Sequence, residues 1–179
     1  MEGTGWELVE LRRHPPYPEP VENGATLAEN ALIKARVGYI RTGEISLADD
    51  TGLEVNALNG KPGVISARLA GANASYSDNL NELLRALQNV PEGRRNARFR
   101  CVMALAGPGI ELTWEGTAEG IILTEPRGSN GFGYDPVFWS PELQKTFAET
   151  EPDEKNRFSH RGRALLGLKE ALLKLKKRN

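Results

Sequence analysis

The chain is poor in sulfur and histidine and has no long apolar run. Its single cysteine, Cys101, rules out an intrachain disulfide, and its setting in "RFRCVMALAG" predicts a buried, inert thiol. One of its two histidines, His14, falls in a proline-rich loop without a ligand-like neighbour and reads as a surface residue. No stretch is apolar enough to cross a bilayer and the N-terminus carries no signal-peptide core, so the expected location is the cytoplasm, away from membranes. Excess charge of one sign is also missing. With 23 basic and 24 acidic residues the net charge is −1, so no basic field draws the whole molecule to nucleic acid. Repeats and low-complexity linkers are absent.

What remains is an ordinary globular composition, 39% hydrophobic and 26% charged. A length of 179 residues fits a single domain, with or without a small lobe. Folding at this size hides about 70% of the unfolded surface, enough for a self-sufficient core. The stretch from Trp6 to Leu11 predicts a short strand running into a proline-stiffened loop. "TLAENALIKARVGYIRTG" predicts a helix: Thr26 with Glu29 makes a capping box, and Leu27, Ala31, Ala35 and Gly38 share one face. A second helix follows in "YSDNLNELLRALQNVPEG", with Ser77 as cap and a stripe of Leu80, Leu83, Leu84 and Leu87. Two strands around the Gly107–Pro108–Gly109 turn come next, then a glycine-broken loop entering a strand. The last element is an amphipathic helix with Leu165, Leu168, Leu172 and Leu175, whose terminal Lys174, Lys176, Lys177 and Arg178 suit the negative end of the helix dipole. Mixed strands and helices in one chain define an α/β class.

Three segments depart from what a plain fold needs. In "ADDTGLEV", carboxylates at the end of a strand, beside a glycine turn, sit where open α/β sheets hold ligands. Adjacent extended residues point to opposite sides, so Asp49 and Asp50 take separate roles, one on a hard cation and the other activating water or held by hydrogen bonds. A solvated Asp-Asp-Thr-Gly turn is the other reading. In "GSNGFGYDP", glycines admit close backbone approach, and Phe132 and Tyr134 either offer faces to a base or plug the core. In "EKNRFSHRG", Ser159 reads as a helix cap. That puts His160 and Arg161 in a first turn where cations oppose the dipole, so they either meet something electron-rich, together with Lys155, or form an exposed basic turn.

Taken together, "ENALIKA", "ADDTGLEVNALNGKPGVISARLAG", "GFGYDPVF" and "EKNRFSHRGRAL" resemble, in order and spacing, the inosine triphosphate pyrophosphatase family. The resemblance covers most of the chain, from Glu22 to the C-terminal helix. It implies an elongated mixed sheet flanked by helices, residues 1–179 forming one domain of two lobes with a nucleotide between them, in a homodimer. It also implies Mg²⁺-dependent cleavage of purine nucleoside triphosphates foreign to the normal pool (ITP, dITP, XTP) to monophosphate and pyrophosphate. By the same resemblance Asp50 is the proton acceptor and a Mg²⁺ ligand, Asp49 supports it, and Glu22 is the other metal-site carboxylate. Thr51 touches substrate, Asn30 and Lys34 face the phosphates, and Phe132, Gly133, Tyr134 and Asp135 line the base pocket. Lys155 contacts substrate, and His160 with Arg161 reads the base.

One feature of that family is missing. Its members begin with a strand and a Ser/Thr-x-Asn-x-x-Lys loop, whereas this sequence opens at "MEGTGWELVELRRHPPYPEP". Loss of that segment would remove a phosphate-binding lysine and expose a sheet edge. Either the start is mis-assigned or trimmed, or the chain is a natural variant with weakened catalysis. The first is the expectation, because every downstream site residue keeps its type. The variant reading would make the chain a non-catalytic nucleotide-binding or dimer-partner protein.

Overall fold

The computed structural model describes residues 3–176, with side chains through Lys174. Helix α1 spans Leu27–Thr42, strand β1 Ser46–Val55 and β2 Pro62–Gly63. Helix α2 (Tyr76–Ala86) precedes the long strands β3 (Asn96–Gly107) and β4 (Ile110–Ile122). The short strands β5 (Phe138–Ser140) and β6 (Lys145–Thr146) follow, then α3 (Pro152–Phe158) and α4 (His160–Lys176). The strands form one six-stranded sheet in the order β2-β1-β3-β4-β5-β6. Pairings of β1 with β2, β4 with β5 and β5 with β6 are antiparallel; in the first, Leu53 stands opposite Gly63.

The chain divides into two compact units. One comprises the residues up to Asp50, Val102–Glu115 and the residues from Ala164 on; the other comprises Thr51–Cys101 and Gly116–Arg163.

In the first unit α1 starts where Thr26 Oγ1 accepts the Glu29 N–H at 3.1 Å, and Glu29 reaches back to the Ala25 N–H at 2.6 Å. The predicted capping box is only half made: Thr26 caps the helix, but the Glu29 carboxylate bonds the amide before the cap and not that of Thr26 itself. The expected face of Leu27, Ala31, Ala35 and Gly38 is buried. In α4 the buried row is Ala164, Leu168 and Leu172, while Leu165 is 44% exposed. Leucine at 165 was expected inside, but the i, i+4, i+8 row that faces inward begins one residue earlier, at Ala164. The side chains of Leu175 and Lys176, and residues Lys177 and Arg178, lie outside the described residues.

The second unit holds a core of Leu53, Val55, Leu80, Leu83, Leu87, Phe99, Phe138 and Phe147. Phe138 packs at ring-centroid distances of 4.6 Å from Phe99 and 4.9 Å from Phe147, tilted in both cases. Helix α2 is capped by Ser75, not by Ser77 as the sequence reading had it. Ser75 Oγ accepts the Asp78 N–H and Asp78 accepts the Ser75 N–H, so Tyr76 becomes the first helical residue. Strand β3 alternates exposed and buried side chains as far as Arg100 and is then buried from Cys101 to Ala106. A strand covered on both faces reads as a continuous apolar run, which is the origin of "CVMALA".

Two further expectations fail near the N-terminus. Residues 6–10 are irregular and Leu11–Arg13 form a 3-10 turn. A strand needs hydrogen-bonded neighbours, and among the described residues no strand lies beside this one. His14 is half-buried, with Nε2 3.7 Å from Glu44, so it is not a plain surface residue.

Candidate active site

In the first unit α1, its preceding loop and the end of the Ser46–Asp50 stretch bring three charges together. Lys34 Nζ lies 2.8 Å from Asp50 Oδ1 and 3.2 Å from Glu22 Oε1. Asn30, one turn before Lys34, is wholly buried. Its Oδ1 accepts the Gly24 N–H at 2.8 Å and its Nδ2 donates to Asp50 Oδ2 at 3.4 Å. Asn30 thus ties the loop carrying Glu22 to the carboxylate of Asp50. Both ends of its amide are engaged inside the protein.

Burial raises the pKa of Asp50 more than its hydrogen bond and ion pair with Lys34 lower it, and the nearby charge of Glu22 adds to the rise. For Lys34, burial pulls the other way but is outweighed by its bonds and charge pairing with Asp50 and Glu22, so its pKa also stands raised. The cluster therefore holds a firm ammonium beside a carboxylate that accepts a proton more readily than an ordinary aspartate. Asp49 points away from Asp50, as a strand requires. It lines, with Glu22, Lys34, Leu105, Leu168 and Leu172, a cavity of about 910 Å³ in the same unit.

In the second unit the loop before β5 and the α3–α4 junction form a separate cluster. Asp135, 2% exposed, accepts the Phe132 N–H at 2.8 Å and the Lys155 ammonium at 2.5 Å. The turn is tight. A Cβ on Gly131, whose φ is +77°, would lie 2.1 Å from Asp135 Oδ2, so only glycine fits. Lys155 Nζ stands 5.0 Å from the Phe132 ring centre and the Arg161 guanidinium 5.9 Å from it. Arg161 also donates to Thr51 Oγ1 at 3.4 Å. The helix junction is fixed by Gly162: its N–H bonds Ser159 Oγ, as the predicted cap requires, and a Cβ there would lie 1.7 Å from the Asn156 carbonyl oxygen.

Two residues that the resemblance assigns to the base, Tyr134 and His160, are buried. Tyr134 belongs to the core, is 5% exposed and donates its hydroxyl to the Ser66 carbonyl at 2.8 Å, with burial raising its pKa. His160 is 4% exposed and stacks on Phe99 at 4.6 Å. Gly133, half-buried with φ +62°, shapes the turn between Phe132 and Tyr134. The ring of Tyr76 lies 6.0 Å from that of Phe132. Placing the cap at Ser75 would have put Tyr76 at the head of α2 and shown an aromatic at an exposed helix start.

The first unit thus carries an acid–ammonium cluster, and the second an aromatic loop edged by cations. The chain belongs to the Ham1 family, whose sequence model matches residues 1–171. It is 48% identical over 176 residues to the dITP/XTP pyrophosphatase of Desulforamulus reducens, covering 98% of this chain and 88% of that protein. It is 53% identical over 158 residues to the protein of the same name from Vibrio cholerae, covering 87% of this chain and 79% of that one. Among solved structures, a HAM1 protein from Coxiella burnetii superposes with a TM-score of 0.83 at 47% identity, over 88% of this chain and 81% of that one. A nucleoside-triphosphatase / dITP/XTP pyrophosphatase from Mycobacterium abscessus gives 0.76 at 47% identity, over 92% and 87%. Among the described residues no helix is long and apolar enough to cross a membrane.

Proposed function

We propose that this chain hydrolyses ITP, dITP and XTP to the monophosphate and pyrophosphate, as a Mg²⁺-dependent homodimer in the cytoplasm. The observation that carries the reading is the convergence of Glu22 and Asp50 on the one ammonium of Lys34, with Asp50 raised in pKa. Relatives named dITP/XTP pyrophosphatase support the substrate class.

Mg²⁺ binds through one or two carboxylates plus substrate phosphates and keeps several waters. Among the described residues no group of three or more His, Cys, Asp or Glu gathers, and two carboxylates are what such a site takes. The donor set therefore fits: Glu22 and Asp50 would hold the ion, which would neutralise phosphate charge. Asp50 accepts the proton of the attacking water, a task its raised pKa favours. Lys34 supplies a fixed positive charge for the phosphate oxygens, and Asn30 keeps Glu22 and Asp50 in register.

The base is read by donors. Arg161 can only donate, so it suits the 6-oxo group of hypoxanthine or xanthine and meets the 6-amino group of adenine donor to donor. A donor left unpaired in a buried site rejects the wrong base more strongly than a missing apolar contact does.

The test is pyrophosphate release from ITP with and without Mg²⁺, for the wild type and Asp50→Asn. Release should require Mg²⁺ and fall by about 10²- to 10⁴-fold in the variant, the usual contribution of a general base. A wild type that releases no pyrophosphate from ITP in Mg²⁺ overturns the reading.

A further inference from the structure

Two large aromatic side chains stand side by side in solvent in the second unit. Tyr76 is 63% exposed and Phe132 49%, their ring centres 6.0 Å apart and their planes tilted by 42°. Uncovered rings in contact are apolar area that a flat ligand would hide. The neighbours of Phe132 are of the kind that bind nucleotides, with Lys155 at 5.0 Å and Arg161 at 5.9 Å from its ring. Both rings are anchored through their backbones. Tyr76 heads α2 behind the reciprocal Ser75–Asp78 cap, and Phe132 is tied by its N–H to the buried Asp135.

We propose that Tyr76 is a base-stacking residue, and that the purine lies between the Tyr76 and Phe132 rings. This rests on the hydrolase reading above for the identity of the base. A flat base between two parallel rings needs about 7 Å, twice a carbon–carbon contact distance of about 3.5 Å. The observed 6.0 Å is close to that, so the slot opens by rotating the rings towards parallel, with a small outward shift. Without a base the rings lean on each other and hide part of their apolar area. The contact is made by the ring face, so the Tyr76 hydroxyl is dispensable. It is remote from the bond that breaks and is made equally before and during reaction, so its loss is read in KM.

The experiment is calorimetric titration of IMP and, separately, of inorganic tripolyphosphate with Mg²⁺ into the wild type, Tyr76→Ala and Tyr76→Phe, alongside ITP kinetics. Stacking on one ring face predicts that Tyr76→Ala weakens IMP by about 5- to 150-fold and raises KM for ITP by a similar factor. Tyr76→Phe should keep wild-type IMP affinity, and tripolyphosphate, which has no base, should bind all three proteins alike. The proposal is overturned if Tyr76→Ala binds IMP as tightly as the wild type, or if Tyr76→Phe loses as much as Tyr76→Ala. It is equally overturned if IMP and tripolyphosphate weaken together, the mark of a general structural defect, or if the wild type takes no IMP. Absence of ITP hydrolysis in the wild type would instead refute the hydrolase reading, and the IMP titration would still decide on Tyr76.

Discussion

Replacing Lys34 by methionine keeps an unbranched side chain one atom shorter and removes the one charge that Glu22 and Asp50 share. At an effective dielectric of about 20, the two attractions come to about 6 kcal/mol at 2.8 Å and about 5 kcal/mol at 3.2 Å. Desolvation of Lys34 and Asp50 takes back most of that, so the gross sum is not the loss to expect. Removing one partner of a buried pair costs about 3–5 kcal/mol, chiefly because a charge is stranded. Here the side chains of Lys34 and Glu22 are 22% and 33% exposed, and solvent screening brings the expected loss to about 2–3 kcal/mol. For a chain of this length that is a fall in Tm of about 4–12 °C.

The pH dependence gives the prediction its sign. Asp50 has a raised pKa in the folded protein, and the variant also lacks the hydrogen bond and charge that hold it down. The folded variant therefore takes up a proton at higher pH than the unfolded chain does. Its penalty is full where Asp50 is ionised and shrinks as pH falls through the raised Asp50 pKa, a proton replacing the ammonium. Urea unfolding of the wild type, Lys34→Met and Lys34→Arg from neutral to mildly acid pH measures this, with arginine expected to recover part of the loss. A loss under about 0.5 kcal/mol at neutral pH, the size of an ordinary surface substitution, would refute the reasoning. So would a loss that grows towards acid.

Glu54 offers the opposite sign. Burial raises its pKa, but hydrogen bonds from Arg100 at 2.6 Å and Arg98 at 2.7 Å outweigh it and leave the carboxyl below its ordinary value. Glu54→Gln should cost about 1 kcal/mol at neutral pH, the modest figure reflecting the half-exposed Arg98. The cost should vanish as pH falls through the folded-state pKa, where the wild type loses the same interaction; a pH-independent difference in Tm would rule this out. Gly131→Ala, with φ +77° and no room beside Asp135, should strain the loop by about 1–3 kcal/mol and displace the carboxylate that holds Phe132 and Lys155. IMP affinity should fall with it, by at least about fivefold; titration at wild-type affinity would show that the turn does not position the base.

Legibility followed distance along the chain. The α1 cap at Thr26, its buried face and the strand pair around Gly107–Pro108–Gly109 were all readable, because each depends on residues within a turn or two of one another. The Trp6–Leu11 strand failed because alternation says nothing of whether a partner strand exists. The α2 cap was misplaced because "ASYSDN" offers two serines, and only the reciprocal bond to Asp78 selects Ser75. The residue types of Tyr134 and His160 were legible, but not their burial, with the Tyr134 hydroxyl on the Ser66 carbonyl and the His160 ring on Phe99. A sequence displays a side chain's chemistry but not the direction in which it points.

By itself, then, the sequence determined which groups were available: acidic Glu22, Asp49 and Asp50, cationic Lys34, Lys155 and Arg161, and an aromatic between glycines. Tertiary structure decided which of them meet. Lys34 and Asp50, 16 residues apart, share an ion pair, and Arg161 reaches Thr51 across 110 residues. Contacts at such separations are set by how α1 packs beside β1 and how α4 begins, and no local pattern encodes them. The raised pKa of Asp50 belongs to that second class, because burial exists only once the chain has closed over it.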